Sequence, residues 1–236
     1  MNFDETGKLV KRIAIVAKYP FYFEDARIRL SDLDIQIVWA TEILQIEKQI
    51  NEGTIFDFIF FPHYSKLVPS KFTEENNCVG FHTGDLPSDR GGSPIQNKIL
   101  KGEYNTWVSA IKLNDDLDAG DIICRQAISL EHGDIEYILK KISAIVADLL
   151  RMIMTENPIP TPQRGEISVF SRLTPQVSEL KIDGLDIRQI YDRIRMLDGL
   201  DYPQAYIELG GRRILLSNAE LQNNRLVFVS RIEEDK

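Results

Sequence analysis

Short apolar runs alternate with longer apolar stripes through the first two thirds of the chain. Arg12-Ile13-Ala14-Ile15-Val16-Ala17 is a run suited to a buried parallel strand. Residues 35–40 are a second such run, residues 55–61 a third that stops at Pro62, and residues 78–81 a fourth. Thr41 can cap a following helix in which Ile43, Leu44, Ile46 and Ile50 fall near helical spacing. Ser93-Pro94 opens another helix, with proline in its first turn and an end near Gly102. Residues 106–113 and 122–130 read as two more strands around an acidic loop. Asp134 caps the clearest helix, whose stripe is Ile135, Ile138, Leu139, Ile142, Ile145, Val146, Leu149, Leu150 and Ile153. Strands alternating with helices predict an α/β fold, a Rossmann-like, doubly wound and mostly parallel sheet.

The pattern changes after Asn157. Pro158, Pro160 and Pro162 make a stiff connection. Beyond it come a short strand over 167–170, a helix over 187–197, and strands over 206–209, 213–216 and 225–229, with Gly210-Gly211 as a hairpin turn. The expected organisation is a first domain over 1–157 and a small C-terminal α+β appendage over 158–236.

Composition narrows the classes. The 236 residues are 27% charged and 43% apolar, a soluble globular balance. A net charge of −8 argues against a protein that wraps nucleic acid, which needs clustered Lys and Arg. The apolar runs are too short and broken to span a bilayer, and the polar residues 1–11 do not read as a signal peptide, so a cytoplasmic location is expected. Cys78 and Cys124 then read as reduced core residues. No Cys/His cluster has metal-ligand spacing, and no metal is expected. Arg188, Arg193 and Arg195 are interspersed with Asp192 and Asp198 and read as a solvated helix face. The sequence does not fix the oligomeric state; a homodimer is possible only on the ground that homodimers are the commonest assembly.

The chemistry concentrates in two segments. Ligands in doubly wound sheets bind beyond the carboxyl ends of strands, and the third and fourth strands run into His63 and His82. His82 is followed by Thr83-Gly84-Asp85-Leu86-Pro87-Ser88-Asp89-Arg90-Gly91-Gly92, a loop of turn-forming residues that opens a helix. Then comes the acidic loop Asn114-Asp115-Asp116-Leu117-Asp118-Ala119-Gly120-Asp121. A histidine and a carboxylate from two such loops can form a proton-transfer pair. The first strand turns through Ala17-Lys18-Tyr19-Pro20-Phe21, without the Gly-x-Gly-x-x-Gly of a dinucleotide-dependent reductase.

These residues resemble the N10-formyltetrahydrofolate-dependent formyltransferases, which include methionyl-tRNA, glycinamide-ribonucleotide and sugar-amine formyltransferases. Leu86-Pro87-Ser88-Asp89-Arg90-Gly91 and Leu117-Asp118-Ala119-Gly120 match that family's motifs in order and separation, and Pro94-Ile95-Gln96 also fits. The resemblance implies formyl transfer to an amine, with His82 as acid/base and Asp118 as the carboxylate that holds the imidazole. Only the Leu-Asp-x-Gly frame singles out Asp118 among its acidic neighbours. It further implies that Lys66, Leu67 and Val68 line the pterin slot of N10-formyltetrahydrofolate. Asn114, Asp115, Asp116 and Leu117 would read the pterin's polar edge through their backbone. Arg90 either holds the loop shape or faces an anionic part of the acceptor, and Gly91 and Gly92 form the turn beside it.

One position departs from the family. Its asparagine two residues before the histidine is Gly80 here, and loss of one oxyanion donor can cost on the order of 10²–10³ in rate. Either the chain is slow or inactive, or another residue donates. His63 is the first candidate, leaning into the space that Gly80 leaves, and Asn97 the second. Methionyl-tRNA members carry a further C-terminal barrel, which would begin near the end of this chain, and glycinamide-ribonucleotide members lack the hairpin-rich extension. The Phe60-Phe61-Pro62-His63-Tyr64-Ser65 segment resembles a sugar branch. The expected acceptor is therefore an amino sugar: a surface-glycan or nonulosonic (pseudaminic-acid) precursor, or a nucleotide-linked 4-amino-4,6-dideoxyhexose. A catalytically impaired folate- or sugar-binding relative and a glycinamide-ribonucleotide formyltransferase are the alternatives.

Overall fold

The computed structural model describes residues 10–223 and 225–232. From its start the chain runs β1 (Lys11–Val16), α1 (Phe21–Arg29), β2 (Ile35–Ala40), α2 (Ile43–Asn51), β3 (Phe58–Phe61), α3 (Ser70–Glu75), β4 (Cys78–Thr83), β5 (Arg90–Gly91), α4 (Pro94–Leu100), β6 (Asn105–Lys112), β7 (Ile122–Ser129) and α5 (Ile135–Glu156). Six strands form one sheet in the order β2-β1-β3-β4-β6-β7. β1 pairs in parallel with β2 and β3, β3 in parallel with β4, and β4 antiparallel with β6. The doubly wound, mostly parallel expectation holds. Its physical basis is visible in the central strands, where Ile13, Ala14, Ile15 and Val16 are buried together with Ile59, Phe60 and Phe61. Burial of each large apolar side chain contributes about 1.5–3 kcal/mol.

Helix starts follow side-chain chemistry. Gln45 Oε1 accepts from the N–H groups of Thr41 and Glu42 at 2.8 and 3.0 Å, so the cap of α2 falls on Glu42, one residue after the expected Thr41. Asp134 Oδ1 accepts from the Tyr137 N–H at 2.7 Å and caps α5 as expected. α1 had no signal in the sequence: its nine residues carry no apolar stripe and bury only Tyr22 and Ala26.

The remaining elements are β8 (Val169–Phe170), a 3-10 turn over Pro175–Ser178, α6 (Ile187–Arg195), β9 (Tyr206–Leu209), β10 (Arg212–Gln222) and β11 (Arg225–Ile232). The last three strands form an antiparallel sheet, and β5 pairs with β8. By its internal contacts the chain divides into two compact units. One takes residues up to 90, 107–128 and 141–169; the other takes 91–106, 129–140 and those from 170 onward. This division departs from a single cut after residue 157. The proline-rich segment is no free connection, because Ile122 and Thr161 exchange N–H···O bonds of 2.9 and 2.8 Å in both directions.

In the second unit the arginines of α6 are not a solvated face. Arg195 is only 1% exposed, and its guanidinium donates to Asp192 Oδ1 at 2.6 Å and to the carbonyls of Leu130 and Gly133 at 2.8 Å. Arg188 pairs with Asp192 Oδ2 at 3.1 Å, and the Tyr104 hydroxyl donates to the same oxygen at 2.5 Å. Asp192 sets one carboxylate between the two guanidinium groups; with the two backbone carbonyls it satisfies the buried Arg195, while Arg188 stays partly exposed. No helix among the described residues is long and apolar enough to cross a membrane.

Candidate active site

His82 lies near the end of β4, 5% exposed and opposite Ser109 of β6. Its Nε2 is 2.6 Å from the backbone carbonyl of Asp89. A carbonyl can only accept, so Nε2 carries a proton. Its Nδ1 is 3.5 Å from Asp118 Oδ2. The imidazole therefore stands between two acceptors, one fixed and one a carboxylate. Asp89 is brought there by a tight turn. The Asp85 carbonyl accepts from the N–H groups of Ser88 and Asp89, and Asp89 Oδ2 accepts from the Asp85 N–H at 2.8 Å. Gly84 is part of the same fit: a Cβ there would stand 2.7 Å from His82 Nε2 and 2.9 Å from Asp89 Cβ. Asp89 and Gly84 were missed by the sequence reading, although the Asp-x-x-x-Asp spacing around a proline is a turn signature.

The acidic loop connects β6 to β7 and closes where the Lys112 N–H donates to the Asp121 carbonyl at 2.9 Å. Asp118 is held in the left-handed backbone region at φ +51. Asn114 Oδ1 accepts from the Asp116 N–H at 3.2 Å, Asp115 and Asp116 are exposed, and Leu117 is 61% exposed. The Arg90 side chain donates to Gln163 Oε1 from Nε at 3.1 Å and from Nη2 at 2.8 Å, so its guanidinium holds loop shape. Gly91 has φ +101, and a Cβ on Gly92 would press on the backbone of Arg172 at 2.8 Å.

His63 is not where the sequence reading put it. The space beside Gly80 belongs to Leu113, whose Cδ2 would stand 2.6 Å from an added Cβ. An asparagine at this position would have to displace that leucine. His63 instead lies against Tyr19 and Tyr22, with ring centroids 5.9 and 6.4 Å away. The amide of Asn97 is also taken up, donating to the carbonyls of Gly92, Ser93 and Ser171. Burial, assisted by the Lys18 charge, pushes the His63 imidazole down to about 4. The unfolded value is higher, so His63 contributes stability in full above about pH 6.5. That contribution is lost as pH falls from 6.5 towards 4, because the unfolded chain takes up the proton first. The loss amounts to about 3 kcal/mol at most. Denaturant titrations across this window should show the decline in the wild type and a flatter profile in His63→Phe; identical slopes would remove His63 as its source.

Lys66 pairs with Glu42 at 2.6 Å, Leu67 is 78% exposed, and Val68 packs against the buried cluster that contains Phe61 and Phe72. A cavity of about 380 Å³ is lined by Leu86, Ile122, Arg125, Thr161, Pro162, Gln163 and Arg164. Arg125 lies 4.3 Å over the Trp107 ring and 3.8 Å from Asp85. Burial pushes the thiols of Cys78 and Cys124 up to about 12, so neither serves as a nucleophile near neutral pH. Among the described residues no group of three or more His, Cys, Asp or Glu is placed to hold a metal.

Residues 45–148 match the family model for formyl transferase, and residues 175–233 match that for the methionyl-tRNA formyltransferase C-terminal domain. The appendage thus matches the domain that was expected to begin only beyond it. A methionyl-tRNA formyltransferase of Campylobacter curvus (strain 525.92) is 30% identical over 80% of this chain and 65% of its own length. The chain spans 51–65% of the length of the curated relatives it matches. Among solved structures, a sugar N-formyltransferase from Shewanella sp FDAARGOS_354 shares the fold, with 15% identity and a TM-score of 0.65 over 90% of this chain and 99% of that one. Methionyl-tRNA formyltransferase from Clostridium thermocellum is 34% identical with a TM-score of 0.87, covering 96% of this chain and 100% of that one. That end-to-end match, with the segments bearing His82 and Asp118 folded against each other, makes this chain a member of the formyl transferase family.

Proposed function

We propose that the protein transfers a formyl group from N10-formyltetrahydrofolate to the primary amine of an amino sugar. The observation that carries the transfer is His82 held between the Asp89 carbonyl and the Asp118 carboxylate, at 2.6 and 3.5 Å. N10-formyltetrahydrofolate supplies the carbon that the acceptor amine attacks. His82 turns its Nε2 proton from the Asp89 carbonyl to the formyl oxygen, where negative charge develops, and relays the proton that the amine releases to N10 as the C–N10 bond breaks and tetrahydrofolate leaves. Asp118 keeps the ring oriented for both tasks. Lys66, Leu67, Val68 and the backbone of residues 114–117 hold the pterin. The exposed side chains of Leu67 and Leu117 fit this role, since an aromatic ligand laid on them removes apolar surface from water. The cavity beside Leu86 and Gln163 receives the part of the acceptor that does not react, with Arg125 and Arg164 at its wall.

The net charge of −8 supports a small acceptor over a nucleic acid, with a surface-glycan, nonulosonic or nucleotide-linked 4-amino sugar as the candidates. A second reading, formylation of methionyl-tRNA, is favoured by the C-terminal domain match over residues 175–233. Mass spectrometry separates them. Amino sugars, glycinamide ribonucleotide and methionyl-tRNA are each incubated with the protein and N10-formyltetrahydrofolate. One formyl group gained by an amino sugar alone is the expected result. Product on methionyl-tRNA alone overturns the acceptor, and no product beside intact folate binding overturns catalysis.

A further inference from the structure

We infer that Gln163 is a positioning residue whose carboxamide sets where Asp118 stands relative to His82. The inference rests on the reading of His82 and Asp118 as the reacting pair. Every hydrogen-bonding site of this amide is in use. Its Nε2 donates to the carbonyls of Asp118 and Gly120, both at 2.8 Å, and its Oε1 accepts from Arg90 Nε at 3.1 Å and Nη2 at 2.8 Å. Reversing the amide would set oxygen against two carbonyls and nitrogen against a guanidinium, so one orientation is dictated. The three segments it joins are the three that build the site: the turn after His82, the acidic loop, and the proline-rich stretch.

The tie is anchored at both ends. Two residues before Gln163, Thr161 is paired in both directions with Ile122, the first residue of β7 after the acidic loop. Arg90 is fixed by its own N–H, which donates to the Ser168 carbonyl at 3.2 Å. The carbonyl that Gln163 holds belongs to Asp118, at φ +51, a left-handed conformation that aspartate enters more readily than most residues but still at some cost, which the two hydrogen bonds of Gln163 offset. Release of that carbonyl lets the backbone relax and carries the carboxylate away from Nδ1, already 3.5 Å distant. Shifts of about an ångström at a reacting pair cost on the order of 10²-fold.

Gln163→Glu is the sharpest test, because it keeps the shape and the Arg90 contact but replaces two donors with an oxygen facing two carbonyls. Gln163→Ala removes the bonds without adding charge and serves if the glutamate variant folds poorly by thermal melting. The expected result is a kcat lower by about 10- to 100-fold with the donor KM within about twofold. Amide hydrogen exchange over residues 114–121 should quicken. In an Asp118→Ala background, which has no side-chain oxygen left to position, the same change should cost nothing further. Unchanged kcat, unchanged exchange, or equal losses in both backgrounds would each overturn the role. If the wild type transfers no formyl group to any acceptor, the functional reading fails. Exchange over residues 114–121 then still decides the clamp, and an unchanged rate in the variants overturns it.

Discussion

Replacing His82 with alanine is expected to lower kcat for formyl transfer by about 10²–10⁴-fold, the range of a positioned acid/base group. Folate binding, measured by titration calorimetry, should stay near wild type if, as we propose, residues 66–68 and 114–117 and not His82 hold the pterin. The large effect follows from the lack of a substitute. Gly80 offers no side-chain donor, and Leu113 fills the space beside it. His63 is turned to Tyr19 and Tyr22, and the Asn97 amide is committed to three carbonyls. Asp118→Asn should fall short of the alanine effect, since it keeps the oxygen that faces Nδ1 and loses only charge. A His82→Ala variant within tenfold of wild-type turnover would remove the histidine from the reaction and shift attention to backbone donors.

The strands and amphipathic helices were legible because continuous apolar runs of strand length and period-3.6 stripes are written in residue type. α5 shows this well: Ile135, Ile138, Leu139, Val146, Leu149 and Leu150 of its predicted stripe are all buried. α1 was illegible because tertiary packing of Tyr22 and Ala26, and no stripe, holds it. His82 and Asp118 could be singled out as candidates because motif residues occur in fixed order along the chain, and the fold sets their side chains 3.5 Å apart. What failed was inference about space. The gap beside Gly80 was assigned to His63, two residues beyond the paired Phe61, but Leu113 enters it from the strand on the other side. Likewise Pro158, Pro160 and Pro162 signalled stiffness, and nothing in them signalled that Thr161 would pair with Ile122 and bring Gln163 onto the acidic loop. Arg195 failed for the same reason: its burial depends on acceptors at Asp192, Leu130 and Gly133, two of them backbone carbonyls far away in sequence.

Gly120→Ala is expected to give the largest loss of stability among single-methyl changes in the site. An added Cβ would overlap the carbonyl oxygen of Lys112 and stand 2.8 Å from its carbon. The obstacle is backbone, so no rotamer change relieves it. The neighbouring Lys112 N–H donates to the Asp121 carbonyl at 2.9 Å, which holds the two segments close at this point. Admitting the methyl group means opening that closure, straining the Gln163 bond to the Gly120 carbonyl, and moving Asp118. A cost of about 4 kcal/mol or more is expected, as for the most damaging single substitutions. For a chain of this size that is a fall in Tm of roughly 8–16 °C. Gly210→Ala is the control. Its Cβ meets nothing within 4 Å, so only its φ of +59 opposes alanine, at about 1 kcal/mol. Thermal unfolding of the two variants therefore separates close approach from backbone conformation. A Gly120→Ala protein that melts with the wild type would mean that the acidic loop has room to spare, and that the glycine of the Leu-Asp-x-Gly frame is not what keeps Asp118 beside His82.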